Sequence, residues 1–500
     1  MIECLAIFRV NAIFHPVKCN YRIDFSRVLL SRHSPVRLFN TLSKEKEDLL
    51  RNRDGRFTIY FCGPTVYNYA HIGNFRTYLL QDVLVRTLEV DGYNPCVARN
   101  ITDVDDKTIR DSVKNGLSLR EFTEKWTKIF HEDCSSLNMK VPDFEPKATE
   151  HIAEQIAMVE SLVAKGFAYV APDGSVYFRI CSFDGYGALS NLENRRLETQ
   201  ELDSSGKRNL ADEYDRENVS DFALWKAAKP GDGENFWPSP WGNGRPGWHI
   251  ECSAMAKKYL GDTIDLHSGG VDLKFPHHEN EIAQSECANG KKFSKYWMHI
   301  AHLLVNGTKM SKSLGNLYTL RDILGKGYSP ECLRYALIAA HYRQSLNFTD
   351  NNLIAARNAI ERLQNFAGKI SDGQVIKKFE IAEWKFFKHA FSTLLDDLNI
   401  PTSLGAIFKA INEISVEAMD SATKFAMFAE FSTIMYCLGL QLTDPEASVG
   451  IPENVKILAE ARWKAKLAKN FPEADRLRLE ITDMGWTIDD TRESYVVRRS

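Results

Sequence analysis

About fifty residues near the start of the chain confine it to a parallel α/β architecture. In "RFTIYFCGPTVYN" (56–68), Phe57, Ile59 and Phe61 alternate on one face before a Gly-Pro break, the pattern of a strand that runs into a loop. "AHIGNFRTYLLQDVLVRTLEVDG" (70–92) then places Tyr78, Leu79, Val83, Leu84 and Leu88 at helical spacing, with Gly92 as the stop. "NPCVARNITDVDDK" (94–107) reads as a second strand ending in a polar loop. Strand, helix and strand in so short a span form a parallel βαβ unit, and such sheets bind ligands at the carboxyl ends of their strands. Cys62 and His71 stand at that end.

The pattern then breaks off and returns. From about 135 to 245 the chain reads as helices, a short strand in "GSVYFRI", the polar stretch 198–221 and a Pro/Gly/Trp-rich run, features of an insertion with surface loops. Parallel α/β character resumes with a helix in "GWHIECSAMAKKYLG", a strand in "DTIDLHSGG" and a helix in "FPHHENEIAQSECANG", whose Pro276 suits a first turn. "YWMHIAHLLVNGTKMSKSLGN" adds one further apolar strand ending in a Lys/Ser loop, and from about 326 the chain is helical. The expected fold is a Rossmann-like parallel sheet domain split by an insertion and followed by an α-helical domain. Its divisions are an N-terminal extension (1–36), the two sheet halves (37–135 and 246–325) around the insertion (136–245), a connector (326–350), a helical bundle (351–450) and a C-terminal region (451–500).

Composition narrows the setting. A net charge of -3 steers no polyanion, so nucleic-acid contacts must come from local patches such as 462–478, with six basic residues against two acids. Ten scattered cysteines without a paired framework suit a reducing compartment, and no apolar run approaches the length of a membrane helix. Residues 1–37 carry six Arg or Lys against two acids, and Arg9 interrupts the early apolar run, which argues against a secretory signal. We read 1–36 as an extension outside the fold, organellar targeting being the alternative to a cytoplasmic protein.

Two stretches raise the question of a metal. On a helix starting near Pro276, His277 and Glu281 share one face, while His278 points about 100° away. With Cys252 they offer sulfur, nitrogen and oxygen donors, and the strand-end Cys62 would complete a tetrahedral set for a borderline-soft ion such as zinc. The ordinary reading is two buried thiols and a surface pair at helical spacing.

Two more signatures settle the comparison. "HIGN" (71–74) opens a helix where free N–H groups favour phosphate, and "KMSKS" (309–313) offers two ammonium groups on a loop after a later strand. With "CGPTVYNYAHIGN", "NITDVDDK", "GWHIECSAM", "FPHHENE" and "KMSKSLGN" in this order, the chain resembles the cysteinyl-tRNA synthetases of class I over about 37–500. The resemblance implies one zinc ion per chain, held by Cys62, Cys252, His277 and Glu281, that recognises the thiol of L-cysteine. It also implies Thr65 and Trp248 near the substrate, with Trp248 four residues before Cys252 on the same face.

The implied reaction uses ATP with Mg²⁺ to form cysteinyl adenylate and passes the aminoacyl group to tRNA(Cys), with His71 and Asn74 on the phosphates and Lys309 and Lys312 on the leaving pyrophosphate. Asn74 departs from the histidine common in the class. His267 and Asp272, at a strand end, are expected to line the amino-acid pocket. Asp103, Asp105 and Asp106 are expected to cap loops and pair with Lys107 or Arg110. Trp463, with Arg462, Lys464 and Lys466, is the candidate for stacking and phosphate contacts to an anticodon loop, against a solvated helix face. The resemblance makes 326–350 a stem-contact connector and 451–500 an anticodon-binding region, and a monomer is expected. A cysteine:amino-sugar ligase of the mycothiol pathway and a non-catalytic RNA-binding paralogue are the alternatives.

Overall fold

The computed structural model describes residues 35–52, 56–192, 221–310, 315–371, 373–442, 453–490 and 494–499. The extension up to Ser34, most of the polar stretch 198–221 and residues 311–314, Lys312 among them, lie outside the described residues.

Burial on both faces shapes the central sheet. In β1 (Arg56–Phe61) Phe57, Ile59, Tyr60 and Phe61 are all buried, so the strand is covered on the face the alternation marked and on the other. β2 (Asn94–Arg99) pairs with it in parallel, and α1 (Ile72–Val90) makes the crossover. Beyond the insertion, α2 (Trp248–Leu260) precedes β3 (Ile264–Gly270), which pairs in parallel with the other edge of β1. α3 (His277–Asn289) then leads to β4 (Ser294–Ile300), parallel to β3. The order β4-β3-β1-β2 reverses its direction of winding between β1 and β3. A crevice at the carboxyl ends of those two strands is where such sheets take ligands.

α1 is buried nearly all round, including the polar Arg76, Gln81 and Asp82, because helices Pro330–Ile338 and Ser421–Leu438 cover the side away from the sheet. Asp82 accepts from Arg86 Nε at 2.8 Å and from the Arg334 guanidinium, and Arg334 also donates to the carbonyls of Leu137 and Leu438. All three charged side chains are buried. Burial pushes the Asp82 carboxyl up, but Arg334 and Arg86 outweigh it and hold it below the usual carboxylate range. This charged knot joins the helix of the sheet domain to the helical region.

The insertion folds around helix Ile152–Ala164 and a four-stranded antiparallel sheet, Ala168–Val170, Val176–Phe178, Phe222–Ala227 and Gly244–Pro246, with Phe178 stacked on Phe222 at 5.0 Å. The sequence signalled one of these strands, Val176–Phe178; Ala168–Val170 and Gly244–Pro246 are only three residues each, and Phe222–Ala227 follows directly on the polar stretch. The single strand expected across 296–310 is in fact three. β4 stops at Ile300, and β5 (Leu303–Val305) turns into β6 (Thr308–Lys309) while pairing in parallel with β7 (Leu346–Phe348). After a helical bundle, helices Glu453–Leu467 and Phe471–Asp483 pack on a terminal hairpin, Trp486–Asp490 with Tyr495–Arg499, around a small core of Val455, Ala459, Ile481, Trp486 and Ile488. No helix among the described residues is long and apolar enough to cross a membrane.

Candidate active site and metal centre

Cys62 directly follows β1, and only glycine fits after it: a Cβ on Gly63 would sit 1.7 Å from the Asn100 carbonyl oxygen. α2 supplies Cys252, and α3 supplies His277 and Glu281 from one face. Their four donor atoms lie within 4.8 Å of one another, and all four residues are buried. Glu281 Oε1 lies 3.0 Å from His277 Nε2 and 3.6 Å from Cys62 Sγ. Burial opposes ionisation of Glu281, yet His267 and His277 outweigh it and bring the carboxyl down to about 2. Burial likewise opposes a charge on His277, and Glu281 with Cys252 raises it to about 10. The Cys62 thiol is pushed up by burial and by its anionic neighbours, whereas Cys252, hydrogen-bonded to it and beside His277, is drawn down to about 6. So dense a set of buried soft and charged donors suits a cation.

The structure corrects two expectations here. His278 does not point away from the cluster: its Nε2 lies 3.4 Å from Cys62 Sγ, and Cys62, His267, His278 and Glu281 satisfy the same 4.8 Å limit. α3 is buried on both faces, so a residue 100° off the His277 face still meets the strand-end cysteine. His278 Nδ1 is 2.8 Å from His299 Nε2, and His299 Nδ1 is 2.8 Å from the Thr41 hydroxyl. Burial and neighbouring imidazoles hold His278 well below its ordinary pKa, and burial takes His299 down to about 3, so both rings are neutral. His267 does not line a pocket surface: it is fully buried, stacked on Trp297 at 4.6 Å, and its Nε2 lies 2.8 Å from Glu281 Oε2. It supports the carboxylate from behind.

Above this cluster is a cavity of about 730 Å³. Cys62, Thr65 and Trp248 line it at the cluster end, and Trp248 stacks on His277 at 4.3 Å. Asp272, His71, Asn74 and Lys309 line the remainder. His71 is the N-cap of α1, its Nδ1 accepting from the Asn74 N–H at 3.2 Å while Asn74 Oδ1 accepts from the His71 N–H at 3.1 Å. Asn74 therefore has a defined task in a reciprocal cap.

Side chains of the acidic cluster take up caps and pairs within the fold. Asp105 caps helix Asp106–Lys114, Asp103 accepts from Thr149, and Asp106 pairs with Lys226 at 3.1 Å and with Arg245, both from the insertion. In the C-terminal region Arg462 is buried and bidentate to Asp490, Lys466 pairs with the same carboxylate, and Lys464 pairs with Glu460. That employment removes Arg462 from the surface. Sequence reasoning missed Trp297, His299 and Thr41, which carry no motif and reach the cluster only through the fold.

Three comparisons bear on this arrangement. A family model described as "tRNA synthetases class I (C) catalytic domain" matches residues 49–358. Curated proteins named "Cysteine--tRNA ligase" are similar: that of Opitutus terrae is 50% identical over 464 residues, covering 92% of this chain and 98% of its own. That of Brachyspira hyodysenteriae is 45% identical over 478 residues, with 92% and 98% covered. Among solved structures, a methionyl-tRNA synthetase of Mycobacterium tuberculosis with methionyl-adenylate superposes with a TM-score of 0.54 at 14% identity, covering 78% of this chain and 92% of that one. An Agrobacterium radiobacter LeuRS in complex with tRNA gives 0.53 at 11%, with 77% and 83% covered. Those two likenesses concern the fold.

Proposed function

The chain belongs to the cysteine–tRNA ligases of the class I aminoacyl-tRNA synthetases, and from that premise we propose that Cys62, Cys252, His277 and Glu281 hold one zinc ion that reads the substrate thiol. As a member it activates L-cysteine with ATP and transfers it to tRNA(Cys). The amino-sugar ligase gives way because the relatives align over 92% of this chain and not over its catalytic half alone, and the non-catalytic paralogue because His71, Asn74, Lys309, Lys312 and the four donors are all present.

The observation that carries the metal reading is the convergence of four buried donors beneath the cavity that the helix start and Lys309 also line. Of the two overlapping sets, the one with both Cys62 and Cys252 is favoured, because a second thiol makes the donor set softer and better matched to zinc. When bound, zinc supplies a soft cationic site that prefers a thiolate to the hydroxyl of serine. Packing alone separates two near-isosteric side chains poorly.

The remaining assignments rest on the cavity lining for the described residues and on family membership for Lys312. Trp248 walls the thiol end, and Thr65 and the Asp272 carboxylate face the cavity where the substrate ammonium would lie. The N–H groups that open α1 and the His71–Asn74 cap face the phosphates, and Lys309 with Lys312 neutralises charge gathering on the departing pyrophosphate. The carboxylate of cysteine attacks the α-phosphorus in line, so the protein's work is positioning and charge stabilisation. Mg²⁺ accompanies ATP. The connector 326–350 is assigned to the tRNA stem and the C-terminal region 451–500 to the anticodon. One chain carries every residue named, so a monomer suffices, and the cytoplasm is the proposed compartment, in keeping with free thiols at all eight described cysteines.

The test is cysteine-dependent ATP–pyrophosphate exchange with serine as control, then charging of tRNA by the same preparation. Exchange with cysteine alone, together with charging, is expected. Exchange with serine at a comparable rate would remove the thiol-reading metal, and exchange without charging would remove the tRNA assignment.

A further inference from the structure

Arg76 lies two residues past Asn74 on α1 and is fully buried. Its guanidinium donates to four backbone carbonyls: from Nη1 to Ala301 at 2.6 Å and His302 at 2.9 Å, and from Nη2 to His341 at 3.3 Å and Gln344 at 2.6 Å. Among the described residues no carboxylate pairs with it. The first two carbonyls belong to the turn between β4 and β5, the last two to the segment entering β7. These segments cross, with the Ala301 N–H donating to Tyr342 O at 2.8 Å and the Leu346 N–H to His302 O at 3.1 Å. One planar fork closes the crossing, a task for which an ammonium group has too few donors and the wrong shape.

What hangs from that crossing is the hairpin β5-β6, which ends at Lys309. α1 also meets the chain on either side of residues 311–314. The Ile72 N–H donates to Tyr318 O at 2.9 Å, and Met310 Cε lies 2.4 Å from where a Cβ on Gly73 would be. The first two turns of α1 therefore hold the phosphate-facing cap on one side and fasten the Lys309 hairpin on the other.

We propose that Arg76 is a positioning residue for the activation step, setting the distance between the His71–Asn74 helix start and Lys309. The proposal rests on the roles given above to those signatures. It predicts a selective defect. The hairpin matters where pyrophosphate leaves, whereas transfer from a finished adenylate to tRNA has no pyrophosphate to neutralise.

The test uses the full-length enzyme and single-turnover kinetics for each half-reaction, normalised to active sites counted by the adenylate burst. Arg76→Lys is expected to slow adenylate formation about 10- to 100-fold, the effect of misplacing a charge by roughly 1 Å, with KM for cysteine and the transfer rate unchanged. Equal losses in both half-reactions, or a lowered Tm with neither rate changed, would overturn it. If Arg76→Lys yields no folded protein, Arg76→Gln, which keeps two side-chain donors for the four carbonyls, replaces it and is expected to show the same split between the half-reactions. Equal losses in both half-reactions in that variant also overturn the proposal. A wild-type protein with no exchange activity would instead refute the underlying reading of the two signatures.

Discussion

His267→Phe isolates the support behind the proposed metal centre. The ring keeps its place against Trp297, at 4.6 Å, and against Phe293, at 5.6 Å, but loses the group that meets Glu281 Oε2 at 2.8 Å. A hydrogen bond to a buried charged group contributes about 1.5–3 kcal/mol. At about 1.4 kcal/mol per decade, that is a roughly 10- to 100-fold change in equilibrium. Partners behind a metal ligand cost about the same factor in affinity when removed. We therefore expect His267→Phe to weaken zinc binding by about 10- to 100-fold, read by competition with a chromophoric chelator. His267→Gln, which can still donate, should lose less. KM for cysteine should rise in step with the zinc defect while KM for ATP stays level, because the cap of α1 and Lys309 are untouched. Wild-type zinc affinity in His267→Phe, or a parallel rise in both KM values, would refute this reasoning.

Three further outcomes follow from particular contacts. Asp82→Asn leaves Arg334 and Arg86 buried without their anion and should cost about 3–5 kcal/mol in denaturant unfolding. Because the Asp82 pKa is lowered in the folded protein, its contribution is complete above the ordinary carboxylate pKa of about 4 and is lost as pH falls through the folded value. The gap between wild type and variant should thus stay constant from neutral pH downward and close only in acid. Lys309→Ala should reduce exchange by roughly a hundred-fold or more with KM for cysteine unchanged, as expected for a charge felt only in the transition state. Arg462→Gln should lower the stability of the terminal helix-hairpin unit, measured by proteolysis, since Arg462 serves Asp490.

The βαβ unit was readable because β1, α1 and β2 are local: alternation, helical spacing and the Gly-Pro break all lie within one short stretch. Of the four proposed ligands only the His277–Glu281 pair is local, one turn apart on a helix; Cys62 and Cys252 are distant in sequence, and it was the resemblance that chose the metal over the ordinary reading. What failed depends on segments distant in sequence. The face rule dismissed His278 because it assumes one buried side, and α3 has two. His267 was assigned to a pocket wall because nothing local reveals that Glu281 approaches from α3. Arg462 looked like an exposed cation until Asp490, from a later hairpin, came to face it. The break at Ile300 was hidden since β5 owes its separate pairing to β7, some forty residues on.

The central claim is that the substrate thiol is read by a metal held in the Cys62, Cys252, His277 and Glu281 set. Zinc-edge X-ray absorption of the purified enzyme counts sulfur neighbours directly. Two sulfurs are expected for the enzyme alone, from Cys62 and Cys252, three after addition of cysteine, and two after addition of serine. A count that stays at two in the presence of saturating cysteine would contradict the account.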